Sequence, residues 1–306
     1  MKLIFMGTPD FAVPCLESLL SAGHEVQAVF TQPDKPVGRK QVLTPPEVKV
    51  CAVKHGLTVY QPKTLRNGEA MEIIRGLSPD AIIVAAYGKI LPKEILDFPR
   101  YGCINVHGSL LPKYRGSAPI QWSVINGDKE TGVTIMQMDE GIDTGDILMK
   151  RAIPIELSDT AESVFEKLAA LGGKTLIEAL GMLERGELTP EKQDESLSCY
   201  APMLDKSISL IDWSKSGMTV HNLIRGLYSW PVAYTMLGGK KLKILSASPC
   251  DRSGEAGTII SVDPLTVACR EGSVIIHELQ LEGKKRMDAK TFLVGHKLCV
   301  GERIGE

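Results

Sequence analysis

Three polar residues in one stretch of this chain have the types and spacing for acyl-type chemistry: Asn105, His107 and Asp143. Side chains alternate with period two along a strand, so Asn105 and His107 project from one face if the surrounding residues are extended. Gly102, Cys103 and Ile104 form an apolar run-in, and Gly108 and Pro112 end the run. An amide and an imidazole therefore emerge together at the C-terminal end of a strand, where open α/β sheets hold their ligands. Asp143 follows 36 residues after His107, on a glycine-flanked loop behind a strand expected over 132–138. If the two strands are neighbours, the carboxylate reaches the imidazole. The amide N–H and a cationic imidazole both donate to a developing oxyanion. A carboxylate beside them favours the charged ring and takes protons, directly or through water. No protein nucleophile is needed when the substrate brings its own amine. An Asn-x-His pair can also be a plain structural pair; the flanking S-L-L-P-x-x-R-G and D-x-G-x-D-T-G tip the reading to chemistry.

The elements that must position these groups begin with a strand over 2–6 and a turn at Gly7-Thr8-Pro9-Asp10. Thr8 or Asp10 is placed to cap a helix over 11–22 whose buried stripe is Val13, Leu16, Leu19 and Leu20. A strand over 25–30 completes a βαβ opening without G-x-G-x-x-G, so a dinucleotide is not indicated. Residues 31–46 read as a long loop rich in proline and base, and loops of that length are usually functional or disordered. Helices are expected over 47–54 and 69–76, with a short strand over 58–60 between them. The apolar run 80–85 reads as a buried parallel strand that delivers residues 87–92 to the edge holding His107. A strand over 146–155 precedes an amphipathic helix over 160–185, with Val164, Leu168, Leu171, Leu180 and Leu183 on one side and Gly172-Gly173 softening its middle. Gly173-Lys174-Thr175 does not complete a phosphate loop, because Leu168 stands where its first glycine belongs. A single Asp143-Thr144-Gly145 is half of what an aspartic protease needs, and there is no G-x-S-x-G elbow.

Residues 186–201 are polar, lack an apolar stripe and read as a linker. Beyond them come short strands expected over 208–213, 232–237, 241–247, 258–262, 265–269 and 274–281, with one helix over 218–227 and a tight hairpin at Gly238-Gly239. That texture points to a small barrel. The division expected is 1–186, a linker 187–204, and 205–306.

Length and composition agree. A chain of 306 residues with 43% hydrophobic and 24% charged residues is ordinary for a globular protein of two domains. The seven cysteines form no C-x-x-C and show no metal spacing with histidine, so reduced thiols in a reducing, cytoplasmic compartment and no metal are expected. The first residues enter a strand without a signal-peptide core, and no run approaches the ~18 apolar residues of a membrane span. Net charge is −2, yet from Asp205 onward 14 Lys+Arg stand against 11 Asp+Glu. That excess is a weak pointer to a polyanion-binding face.

The stretches N-V-H-G-S-L-L-P-K-Y-R-G-S-A-P-I-Q and E-T-G-V-T-I-M-Q-M-D-E-G-I-D-T-G-D resemble the formyltransferases that use 10-formyltetrahydrofolate. M-G-T-P-D-F, F-T-Q-P-D-K-P-V-G-R, A-A-Y-G-K-I-L-P and I-D-W-S extend the resemblance over nearly the whole chain, toward the members that act on methionyl-tRNA. It implies an α/β fold: a Rossmann-like formyltransferase domain that does not use NAD, then a small OB-like β-barrel domain. It implies Asn105, His107 and Asp143 as the catalytic trio. Folate would lie against Ile90, Met138 and Asp139, with Ser109, Leu110, Leu111 and Pro112 lining the same pocket. The partner implied is initiator methionyl-tRNA, met by Arg39 and Lys40 in the basic loop and by Lys284, Lys285 and Arg286 in the C-terminal domain. No membrane and no obligate protein partner are implied. Gln41 and Val42 follow where relatives often carry more lysine, so this loop is less basic than the pattern. Two alternatives stay open: another acceptor, such as a glycinamide ribonucleotide or an amino sugar, and a non-catalytic tRNA-binding protein on the same scaffold.

Overall fold

The computed structural model describes residues 1–38 and 40–305. In chain order the main elements are β1 (Lys2–Gly7), α1 (Val13–Ser21), β2 (Glu25–Phe30), β3 (Lys35–Val37), β4 (Val42–Thr44), α2 (Glu47–Lys54), β5 (Val59–Tyr60), α3 (Glu69–Leu77), β6 (Ala81–Ala85), α4 (Lys93–Leu96), β7 (Cys103–His107), β8 (Arg115–Gly116), α5 (Pro119–Ile125), β9 (Glu130–Gln137), β10 (Ile147–Pro154) and α6 (Ala161–Glu184). There follow β11 (Tyr200–Ala201), α7 (Gly217–Gly226), β12 (Tyr234–Leu237), β13 (Lys240–Cys250), β14 (Ile259–Val262), β15 (Leu265–Ala268), β16 (Ser273–Leu281), β17 (Met287–Asp288) and α8 (Ala289–Gly295). Two compact units result. One holds residues 1–116, 131–153 and 165–201; the other holds 117–130, 154–164 and 202–306. Among the described residues no helix is long and apolar enough to cross a membrane.

The first unit is a Rossmann-like layer structure on a seven-stranded sheet of order β10-β9-β7-β6-β1-β2-β5. From β5 to β7 the strands run parallel. β1 and β6 are almost wholly buried apolar runs, as central parallel strands covered on both faces must be. β9 turns antiparallel against β7 and pairs Asn105 with Met136 and His107 with Thr134. Gly172 and Gly173 do not interrupt α6. A Cβ on Gly173 would stand 2.7 Å from the Pro14 carbonyl and one on Gly172 would stand 3.0 Å from Val106 Cγ1, so the glycines let α6 lie directly on α1 and the sheet.

Several local expectations are corrected. Neither Thr8 nor Asp10 caps α1, which starts behind a 3-10 turn with Ala12 at its N-cap. Thr8 Oγ1 instead donates to the Tyr87 carbonyl at 3.0 Å, joining the loops after β1 and β6. The buried side of α1 is Cys15, Leu16 and Leu19, whereas Val13 and Leu20 are half-buried. The segment after β2 is no irregular loop but a ribbon, β3 against β4 in the register Val37↔Val42. Pro36 hid it, because proline is tolerated on the free edge of a two-stranded ribbon. The root of the ribbon is fixed by Lys49 Nζ on Asp34 at 2.8 Å and by Gln61 Nε2 on the Gln32 carbonyl at 2.8 Å.

The second unit carries an antiparallel sheet of order β12-β13-β16-β15-β14, with β17 on β16. Register shifts in the β13–β16 ladder curl it, since bulges add local twist. The β12–β13 turn has Gly238 and Gly239 at φ 54° and 73°, the paired positive values of a type I′ hairpin. The strand expected over 208–213 is absent. Lys206–Ser209 form a 3-10 turn capped by Asp205, and Leu210 makes one isolated bridge to Tyr234. Helix α8 is not legible in the sequence; Asp288 caps it and Phe292 is its buried anchor.

Candidate active site

His107 is the last residue of β7, and its neighbour two residues back, Asn105, shares its face. Directly opposite residues of an antiparallel pair also share a face, so Met136 lies beside Asn105 and Thr134 beside His107. His107 is buried, with 6% of its surface exposed. Its Nε2 is 2.9 Å from the Tyr114 carbonyl, and its Nδ1 is 3.6 Å from Asp143 Oδ2. Both ring nitrogens face acceptors. Asn105 is half-buried, and its side-chain amide makes no hydrogen bond among the described residues. His107 and Asp143 are thus brought together, with Asn105 on the same face of β7 as His107.

Asp143 reaches its place through a bent loop. Its φ is +54°, in the left-handed region where a non-glycine residue is held by its surroundings. Oδ2 accepts the Gly116 N–H at 2.8 Å. A Cβ on Gly145 would sit 1.8 Å from the Gln137 carbonyl, so the loop needs glycine to turn back on β9. Asp139 does not face the site with its whole carboxylate: Oδ1 accepts from Gly141 N at 3.0 Å and from Thr144 Oγ1 at 2.8 Å, which staples the loop on itself.

A cleft of about 160 Å³ runs alongside, lined by residues 89–91, Met136 and residues 138–143. Ile90 and Ile142, 69% and 58% exposed, flank it. Its lining is apolar at Ile90, Leu91, Met136, Met138 and Ile142 and acidic at Asp139, Glu140 and Asp143. Ile90, Met138 and Asp139 line the cleft as expected, but Ser109, Leu110, Leu111 and Pro112 do not. Ser109 is fully buried, its Oγ donating to the Lys113 carbonyl at 2.6 Å. Leu111 packs with Met136 and Ile147, so it backs the cleft wall from behind. Leu110 and Pro112 are half-buried elsewhere on this loop. Thr134, which the sequence reading missed, pins the loop: its Oγ1 donates to the Ser109 carbonyl at 2.7 Å and accepts from Leu111 N at 3.0 Å. Its place opposite His107 was the available signal.

The basic residues are dispersed. Lys40 lies exposed in the β3–β4 turn, and Arg39 lies outside the described residues. Lys284 and Lys285 are exposed in the turn after β16. Arg286 is committed to Glu278 and, at 3.3 Å, to the Tyr228 hydroxyl, and its pKa is raised by that carboxylate. The cysteines are all free. The expectation that none meets histidine at metal spacing is corrected: Cys51 and His55, one helical turn apart, gather with Glu17 of α1, their ligand atoms all within 4.8 Å.

Comparison with known proteins adds to this geometry. The family described as "Formyl transferase" matches residues 1–180, and "Formyl transferase, C-terminal domain" matches residues 203–297. The methionyl-tRNA formyltransferase of Citrifermentans bemidjiense is 52% identical over all of this chain and 97% of its own length. That of Lachnospira eligens is 48% identical over the whole of both chains. Among solved structures, an N-formyltransferase from Helicobacter canadensis in complex with folinic acid and dTDP-3-aminofucose superposes with TM-score 0.71 at 20% identity, over 90% of this chain and 98% of that one. HypX from Aquifex aeolicus in complex with tetrahydrofolic acid gives 0.65 at 19% identity, over 96% of this chain; the match spans about half of HypX, 47%. At those identities the two structures bear on the fold.

Proposed function

The chain belongs to the formyl transferase family, among its methionyl-tRNA formyltransferases, and from that premise we propose that Asn105, His107 and Asp143 carry the reaction. The protein transfers a formyl group from 10-formyltetrahydrofolate to the α-amino group of methionyl-tRNA, giving N-formylmethionyl-tRNA for translation initiation. The observation that supports the site is a buried imidazole 3.6 Å from Asp143, a carboxylate that lines the cleft, with the uncommitted Asn105 amide on the same face of β7 as that imidazole.

The folate, when bound, supplies an activated formyl carbon. Ile90, Met138 and Asp139 hold its ring in the cleft. Since His107 Nε2 is spent on the Tyr114 carbonyl, Nδ1 is the nitrogen that faces the reacting groups. Asn105 and His107 donate to the formyl oxygen as it gains charge, and donors fixed in advance need no reorganisation at that moment. Asp143 faces the imidazole and accepts the proton of the attacking amine; as the new C–N bond forms, the bond from the formyl carbon to N10 breaks and that proton passes on to N10. Its Oδ2 is held by Gly116, which leaves Oδ1 for the proton or for a bridging water.

For tRNA, catalysis lies within residues 1–186 and tRNA binding within 205–306; of the expected linker, 187–201 belong to the first compact unit and 202–204 to the second. Lys284 and Lys285 offer exposed ammonium groups to phosphates, while Lys40 in the β3–β4 turn and Arg39 beside it in sequence meet the acceptor end. Work on aminoacyl-tRNA puts the enzyme in the cytoplasm. The test is incubation with 10-formyltetrahydrofolate and separate acceptors: methionyl-tRNA, a glycinamide ribonucleotide and an amino-sugar nucleotide. Mass analysis should find the formyl group on the methionyl residue alone. Formyl transfer to a small acceptor and none to methionyl-tRNA would overturn the reading.

A further inference from the structure

Segment 187–201, polar and without an apolar stripe, is engaged on the active-site loop. Glu191 and Ile147 exchange backbone hydrogen bonds of 2.8 and 2.9 Å. Tyr200 and Ala201 pair as a short strand with Arg115 and Gly116. A Cβ on Gly116 would lie 2.8 Å from the Ala201 carbonyl, so this approach requires glycine. Between these anchors sits Gln193. Its Nε2 donates to the Asp143 and Gly145 carbonyls, each at 2.8 Å. Its Oε1 accepts from Arg115 Nε at 3.0 Å and Nη2 at 2.8 Å. Both donors and both lone pairs are used, so the amide has one orientation. Arg115 is itself buried and locked by Glu195 through two bonds of 2.8 and 2.7 Å. The next residue, Gly116, holds the Asp143 carboxylate.

We propose that Gln193, backed by Arg115, is a positioning residue for formyl transfer: it holds the main chain of Asp143 in the left-handed conformation that aims the carboxylate at His107. The proposal rests on the reading of Asp143 as the working carboxylate. A left-handed aspartate persists only where its surroundings over-determine it. Here the carbonyl of the strained residue and that of Gly145 are gripped by one side chain, and the carboxylate is gripped by the strand that this side chain anchors. Reacting groups displaced by about 1 Å lose roughly 10²-fold in rate. The grip therefore matters to turnover even though Gln193 meets no substrate.

A double-mutant cycle on the full chain, with methionyl-tRNA and 10-formyltetrahydrofolate in single-turnover assays, separates the possibilities. Gln193→Glu keeps the size and the acceptor toward Arg115 but turns lone pairs onto the two carbonyls. It should lower kcat roughly 10²-fold while each KM moves less than about threefold. Asp143→Asn should lower the rate by about 10²–10⁴. In the Asp143→Asn background Gln193→Glu should then cost less than about threefold, because residues acting through one another are not additive. Equal losses in both backgrounds, or a wild-type rate for Gln193→Glu, would overturn the proposal. Asp143→Asn at the wild-type rate would instead remove the site reading beneath it, whatever Gln193→Glu does. Should Gln193→Glu not fold, Gln193→Met, which sets no charge against the carbonyls, goes through the same cycle.

Discussion

His107 and His221 are equally buried, at 6% and 5% exposure, and each has two acceptors at its ring nitrogens. His221 lies between the Ala247 carbonyl at 3.0 Å and the Leu157 carbonyl at 3.1 Å, inside the second unit. Burial pushes its pKa down, the Arg225 cation adds to that, and the two carbonyls oppose it. His107 instead has one carbonyl and one carboxylate, and the carboxylate is 3.6 Å away, too far for a closed hydrogen bond. One ring has spent its polar capacity on the fold; the other keeps a nitrogen facing Asp143, which lines a cleft. The same contrast separates Arg286, tied to Glu278, from Lys284 and Lys285 in the same turn. Burial alone does not mark a functional group. A polar group left uncommitted beside a concave surface does.

That contrast can be broken at its strongest point first. His107→Asn should lower kcat by about 10²–10⁴, because it removes the imidazole, and should lower Tm only modestly, because the asparagine amide can still donate to the Tyr114 carbonyl. Stopped-flow single turnover alongside thermal unfolding separates the two effects. Asn105→Ala should cost about 10²–10³ in single-turnover rate, the usual loss for one oxyanion donor, and leave folate binding by fluorescence titration nearly intact. A variant close to the wild-type rate would remove Asn105 from the site.

His221→Leu should behave in the opposite way, losing about 1–3 kcal/mol of stability in urea titration while kcat holds, since the single N–H donor of the neutral, buried ring is lost to the carbonyls it lies between. Its pH dependence sharpens the point. The folded ring is held below its ordinary pKa. As pH falls through the unfolded value of about 6.5, the unfolded chain binds a proton that the folded chain refuses. Stability is therefore lost on the acid side until pH drops below the depressed folded value, where the loss levels off. The leucine variant should lack this leg of the stability profile.

The smallest effect concerns charge. Lys284→Ala should reduce the salt dependence of tRNA binding, log K against log salt, by about one, the contribution of one phosphate contact. Arg286→Ala should change the slope less, because its guanidinium is already neutralised by Glu278. Filter binding at several salt concentrations measures both, and equal slopes for the two variants would erase the distinction.

Local placement was legible in the sequence. Period-two alternation placed Asn105 and His107 on one face, and the glycines around Asp143 marked a tight loop. The apolar runs of β1 and β6 announced parallel strands buried on both faces, because such runs can be hidden no other way. The β12–β13 hairpin followed from Gly238-Gly239, whose backbone freedom is a property of the residues themselves. Folding decided what depends on partners far along the chain. The 109–112 loop is pinned by Thr134 and packs through Leu111 on Met136 and Ile147, contacts that leave no mark in its own sequence. Arg286 read as a free charge until Glu278 met it across the turn. Segment 187–201 read as a linker because its composition lacks an apolar stripe, but Gln193 and Glu195 are held by hydrogen bonds to Arg115 and to the Asp143 loop, which leave no periodic trace. Periodicity records which face of an element is buried. It does not record which polar atom answers another 50 residues away, as Gln193 answers Asp143, and that pairing is what the tertiary structure supplied.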